Sequence, residues 1–187
     1  MRTLLVGFFL LAQPFWESKP PEQWTDTEID LVRHGSPWVQ AVGPEPGVTV
    51  WLATAAPIEE AEAEARLRVK SPEKEPDPDY QGYVTENRAD NFVLAISYPP
   101  RKGLGAADEA KHMEDESVML IGRKSYHMAG YFPPTESDPV LRLVFPRMVK
   151  AADKSVLFRL YLSGLTFPER EVEFRVKDLL YHGKLEM

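Results

Sequence analysis

Trp24-Thr25-Asp26-Thr27-Glu28-Ile29-Asp30-Leu31-Val32-Arg33-His34-Gly35-Ser36-Pro37-Trp38 is the stretch on which the fold turns, because it admits two structures. Thr25 and Glu28 have the spacing of a capping box, in which the Thr hydroxyl accepts from the backbone N–H of Glu28 and the Glu carboxylate reaches back to the N–H of Thr25. Trp24 and Ile29 occupy the N′ and N4 positions of a hydrophobic staple, and Asp26 and Glu28 put negative charge on the positive end of the helix dipole. At the other end Gly35 can close the helix in the left-handed conformation, Arg33 and His34 suit the negative end, and Pro37 forbids continuation. The stretch therefore reads as a short capped helix with His34 at its C-terminus.

The second structure comes from Leu31-Val32-Arg33-His34-Gly35, which resembles the histidine phosphatase signature. That resemblance implies a His34 nucleophile, an Arg33 that grips the phosphoryl group, and a buried strand ending here with a helix to follow. Ser36-Pro37-Trp38 and the run Gly43-Pro44-Glu45-Pro46-Gly47 follow instead, and neither signals a helix. Arg88, an acid at Glu109 or Glu114, and His182 before Gly183 would complete such a site, but no run of βα units connects them. A motif counts in its structural context. The capped helix is the preferred reading, with a non-enzyme expected, and a phosphomonoesterase using Arg33, His34, Arg88 and His182 is the alternative.

Further along, Lys154–Leu162 (KSVLFRLYL) and Glu169–Lys177 (EREVEFRVK) both alternate, with Gly and Pro between them, and predict a β-hairpin. Gly47–Thr54, Asn91–Tyr98, Val118–Tyr126 and Val140–Val144 read as strands, the second as a central one, and Tyr181–Leu185 as a short closing strand. Ile58–Val69 reads as a helix with acids early and Arg66 and Arg68 late, Glu59, Glu60, Glu62 and Glu64 coating its start and solvated face. Ser71–Tyr80 holds three prolines and predicts a surface loop, Phe132–Pro139 another, and Gly103–Ser117 a connector with a helical turn near Ala106–Met113.

With 187 residues, 17 prolines and 43% hydrophobic residues, the chain fits strands and loops better than a helical bundle. Its net charge of −7 argues against a nucleic-acid surface, which needs clustered Lys and Arg. Arg2, the apolar Leu4–Leu11 and Ala12 fit a compact signal peptide over residues 1–12, an apolar N-terminal strand or tail being the alternative. That run is far short of the roughly 20 residues a bilayer needs, so no transmembrane span is expected. There is no Cys, hence no lipobox, disulfide or thiolate. Export without disulfides points to a secreted or periplasmic protein of the bacterial envelope.

Three tryptophans, Trp16, Trp24 and Trp38, fall in a segment poor in aliphatics. Residues 13–46 are expected to form an arm that wraps onto a β-rich domain, 47–187, and serves as part of its core. The functional alternative is a set of aromatic platforms, making the chain a carbohydrate-binding module.

Other constellations are incomplete. Asp77-Pro78-Asp79-Tyr80-Gln81-Gly82-Tyr83-Val84 opens like an EF-hand loop, but Arg88 stands where the bidentate Glu belongs, leaving a turn-rich loop. His112-Met113-Glu114 has the H-x-E of zinc deaminases without the Cys pair they require. The four histidines, 34, 112, 127 and 182, share no metal-ligand spacing, and neither metal nor cofactor is expected.

Phe15-Trp16-Glu17-Ser18-Lys19, Gln23-Trp24-Thr25-Asp26-Thr27-Glu28, Ser36-Pro37-Trp38, Phe145-Pro146-Arg147 and Phe174–Glu186 together resemble a family of uncharacterised secreted proteins of acidobacteria-type bacteria. Its motifs are aromatic and structural, so the resemblance implies no activity, substrate or cofactor. A fainter similarity is to the GWxTD-type domains of envelope proteins, with Gln23 in place of the Gly. The fold expected is α+β, mainly antiparallel β and sandwich-like, with an N-terminal capped helix and one further charged helix. The role expected is non-catalytic, binding or structural, toward a partner protein or a cell-surface component.

Overall fold

Two antiparallel sheets face each other, and the residues that alternate inward along their strands make the core. A computed structural model describes residues 13–43, 47–69, 77–99 and 106–187, without the side chains of 106–108. In chain order the elements are α1 (Phe15–Ser18), α2 (Asp26–Gly35), β1 (Val39–Val42), β2 (Val48–Leu52), α3 (Ala56–Arg68), α4 (Pro78–Asn87) and β3 (Asn91–Ser97). There follow α5 (Ala106–Glu116), β4 (Val118–Ile121), β5 (Lys124–His127), β6 (Gly130–Phe132), β7 (Leu141–Pro146), β8 (Ser155–Tyr161), β9 (Glu169–Arg175), β10 (Leu180–Tyr181) and β11 (Lys184–Leu185). The first sheet has the order β1-β2-β3-β7-β6, the second β5-β4-β8-β9, and β10-β11 form a separate ribbon, every pairing antiparallel. This is the α+β, sandwich-like architecture that the strand patterns predict.

The seam between the sheets is aromatic. Phe92 of β3 and Phe145 of β7 meet Phe158 of β8 edge-on at 6.1 and 5.2 Å between ring centroids, and Phe158 meets Phe174 of β9 at 6.0 Å. Val50, Leu52, Leu94, Ile96, Leu143 and Met119 fill in around them, all buried. Such T-shaped pairs add to the area each ring buries.

Helix α2 begins with the capping box: Glu28 N donates to Thr25 Oγ1 at 3.2 Å and Thr25 N donates to Glu28 Oε2 at 2.8 Å. Trp24 and Ile29 are both buried, as a staple requires. The C-terminal end differs from expectation. Gly35 is the last helical residue and is absent from the positive-φ positions; the end is closed instead by Ser36 Oγ, which donates to Val32 O at 2.6 Å. A Cβ at Gly35 would meet only Leu31 Cδ1, at 2.9 Å, and that exposed side chain can turn aside, so neither φ nor space demands the glycine.

The tryptophan-bearing segment packs as core. Phe15 meets Trp16 and Trp24, Trp16 meets Trp38, and Trp38 meets Tyr181, each edge to face. Trp24 Nε1 donates to Lys19 O and Trp38 Nε1 to Glu186 O, so the buried indole N–H groups are satisfied. The segment also supplies an edge strand: β1 pairs with β2, Val42 opposite Val48, and residues 13–43 are thereby built into the first sheet.

Several expectations are corrected. Pro78–Tyr80, read as surface loop, opens helix α4, with Asp77 as N-cap accepting from Asp79 N at 2.8 Å and Pro78 in the first turn. Helical spacing fans Asp77, Asp79 and Gln81 apart, where an EF-hand loop would converge them. Val118–Tyr126 is two strands, β4 and β5, turned at Gly122 with φ +59. Tyr181–Leu185 is a ribbon rather than one strand, turned at His182 and Gly183 with φ 49 and 75, both left-handed as a two-residue hairpin loop demands. The expected signal peptide, residues 1–12, and the loop residues 71–76 lie outside the described residues.

Candidate cleft on the outer face of the first sheet

The face of the first sheet that turns away from the second carries a different set of residues. Trp51 of β2 pairs with Ala95 of β3, and Ala95 with Arg142 of β7, so Trp51 and Arg142 share this face with a small residue between them. Helix α4 packs over it through Tyr80, Tyr83 and Val84, which meet Val93, Val144, Ala53 and Phe132 in a second apolar cluster. Their i, i+3, i+4 spacing is what one helix face presents. Helix α3 forms the opposing wall with Ile58, Glu59, Glu62 and Arg66, and Arg33 reaches in from α2. Between these elements lies a cleft of about 810 Å³, within the size range of small-ligand sites.

Its polar lining is arranged in ion pairs. Arg33 Nε donates to Glu62 Oε1 at 2.9 Å and Arg33 Nη2 to Glu62 Oε2 at 3.3 Å. Arg88 grips Glu59 with both terminal nitrogens, at 2.8 and 2.5 Å, and donates to Thr54 O at 3.0 Å. Arg142, 8% exposed, sits 2.8 Å from Asp138 Oδ2 with its guanidinium 4.4 Å above the Tyr80 ring. Such two-pronged contacts fix planar donors in place. Burial pushes the Glu59 carboxyl above its ordinary range against the pull of Arg88, while the Glu59 hydrogen bond holds Arg88 firmly protonated. Burial also raises the Tyr80 phenol. Arg66 lines the same wall, half-buried, with no hydrogen bond or ion pair to another described residue.

The α3 glutamates, expected to coat a solvated face, are all engaged. Glu59 holds Arg88, Glu62 holds Arg33, Glu64 holds Arg68 at 2.8 Å, and Glu60 accepts from the Tyr181 hydroxyl at 2.5 Å. Burial raises the Tyr181 phenol, with Glu60 adding to the effect.

The residues of the phosphatase alternative divide between separate surroundings. Arg33 and Arg88 line the cleft; His34 and His182 do not. His34 is exposed on the last turn of α2, its Nδ1 3.1 Å from Asp30 O, and His182 sits in the β10–β11 turn with its backbone N–H donating to Glu17 at 3.1 Å. Glu109 receives Gly164 N at 2.9 Å, and Glu114 lines a smaller hollow near His127. Of the candidate binding tryptophans, Trp24 and Trp38 are 2% and 0% exposed and Trp16 is half-buried, with Trp16 and Trp38 inclined at 76°. A sugar platform needs exposed, coplanar rings, and the edge-to-face packing of these three serves the interior instead. Among the described residues no group of three His, Asp or Glu is placed to hold a metal ion.

No family model matches the chain, and no curated protein matches it. A solved structure from Burkholderia pseudomallei, titled a novel protein of unknown function, aligns with a TM-score of 0.43 at 12% identity, over 79% of this chain and 81% of that one.

The cleft was not visible in the sequence, because its lining comes from five helices and strands and the loops beside them, scattered between residues 33 and 142. One signal was available: Asp77-Pro78 is an N-cap followed by a first-turn proline, and Tyr80, Tyr83 and Val84 mark an apolar helix face behind it.

Proposed function

We propose that this is a binding protein of the bacterial envelope, exported by its N-terminal segment, and that it holds its ligand in the cleft between α3, α4 and the first sheet. The cleft carries the reading. It combines aromatic and aliphatic walls, Trp51, Tyr80, Val84 and Val140, with arginines whose charge is permanent and whose orientation is fixed by bound carboxylates. That is the chemistry of recognition, a mostly apolar concavity with a few placed polar groups. The resemblance to secreted acidobacterial-type proteins and the apolar start of the chain support export.

The test of binding is an NMR titration of the purified chain with a panel of small acids, amines, alcohols and sugars. Shifts confined to the Trp51 indole and the residues around it are expected for at least one class, and a panel that moves none of them overturns the reading. Two further measurements bear on the rest. Phosphomonoester hydrolysis that is present in the wild type and lost in His34→Ala would replace binding with phosphotransfer. Intact mass of the chain recovered from a bacterial periplasmic fraction is expected to show cleavage near Ala12 or Gln13; an uncleaved cytoplasmic chain would remove the export claim.

A further inference from the structure

The charge of the cleft runs against the charge of the chain. Arg33, Arg66, Arg88 and Arg142 face Glu59, Glu62 and Asp138, an excess of one positive charge in a protein whose formal net charge is −7. Three of the arginines are matched one to one with the three acids. Arg66 is the excess. It stands one helical turn beyond Glu62 on α3, on the same wall as Ile58, and its guanidinium has no acid partner among the described residues. An arginine held half-buried beside apolar surface is less well hydrated than one in open water, so an incoming anion gains more from pairing with it.

Another part of the cleft lining is apolar. The half-buried Trp51 and the chain's Val84 and Val140 line it, and the Tyr80 ring closes it with one face already covered by Arg142. Flat aromatic walls favour a flat partner through offset or edge-on ring contact. From these two halves we propose that the cleft binds a small molecule with a planar apolar body and one carboxylate or phosphate group, the anion pairing with Arg66 and the body lying against Trp51. This rests on the cleft being the binding site, as argued above. The fixed ion pairs around it add selectivity. Arg33, Arg88 and Arg142 are held in place by their carboxylates, and Glu59, Glu62 and Asp138 repel a second negative charge.

Calorimetric titration of the purified full-length chain with benzoate, phenyl phosphate and the neutral isostere benzamide tests this. Benzoate or phenyl phosphate is expected to bind at least about tenfold more tightly than benzamide, as a charge-assisted contact predicts. The tighter of the two anions names the headgroup. Arg66→Gln is expected to erase the preference for the anion over benzamide, and Arg66→Lys to retain most of it. Trp51→Leu is expected to weaken all three ligands. Benzamide binding as tightly as the anions, or an Arg66→Gln chain that keeps the preference, overturns the anion proposal and leaves the cleft as a binding site of other specificity. Absence of binding by all three, with NMR shifts at the cleft from some other compound class, also overturns the anion proposal alone. Thermal unfolding of each variant establishes that it is folded before titration.

Discussion

The two faces of the first sheet are made by the same strands and do opposite things. On the inner face Val50, Leu94, Leu143 and Phe145 meet the second sheet and exclude water; on the outer face, one residue along, stand Trp51, Ala95 and Arg142 beneath a cleft. A strand has a side-chain period of two, so one register fixes both sets at once, and a slip by one residue would put Arg142 into the core. The inner face is constrained by volume. The outer face is constrained by pairing, since each buried charge there must meet its partner, and this leaves room between pairs that a packed core does not have.

The largest effect expected from disturbing this contrast is on the inner face. Phe158→Ala removes the ring that joins Phe92, Phe145 and Phe174, and should lower stability by about 4 kcal/mol in urea unfolding, the usual cost of a large buried aromatic. A loss under about 1 kcal/mol would mean the sheets are not packed through this cluster.

Next comes the buried pair of the outer face. Asp138→Ala leaves Arg142 without its acid and should cost about 3 kcal/mol, whereas the double change Asp138→Asn with Arg142→Met should cost much less, because a buried ion pair is expensive to break and cheap to replace. If the double variant is the less stable of the two, the pair contributes stability directly. Smaller again is the cap of α2: Thr25→Ala should cost about 1 kcal/mol by loss of the hydroxyl that accepts from Glu28.

The contrast also explains what the sequence revealed. The alternation of Ser155–Tyr161 and Glu169–Arg175 announces inward faces and the apolar run Asn91–Ser97 a strand covered on both sides, because burial selects for residue type. The capping box of α2 is legible for a similar reason, all its parts lying within four residues. β1 was hidden because Val39-Gln40-Ala41-Val42 is too short and mixed to stand out, and gains its character only by pairing with β2. α4 was hidden behind prolines and acids that also suit a loop. The cleft had no local signature at all, because ion pairs such as Arg33 with Glu62 and Arg88 with Glu59 each join residues 29 positions apart. Leu31–Gly35 shows the converse, a familiar string whose context is the end of a capped helix.

The smallest expected effect concerns pH and sharpens the picture of the outer face. Glu59 is flanked by Arg88, Arg147, Glu186 and the Tyr80 phenol; desolvation outweighs the two arginines and sets its carboxyl above the ordinary range. Tyr80 stays protonated throughout, since its own shift is upward. As pH falls, Glu59 should therefore take up a proton before exposed carboxylates do, and Arg88 then loses the negative charge that neutralises it. The cleft becomes more positive by one charge in that window. Benzenesulfonate, which remains ionised there, should bind severalfold more tightly on mild acidification, while Glu59→Gln, neutral at every pH, should bind it with the acid-side affinity and lose the step. A wild-type affinity that is flat through the window would mean that the Arg88–Glu59 pair stays outside the reach of the bound anion and that Arg66 acts alone.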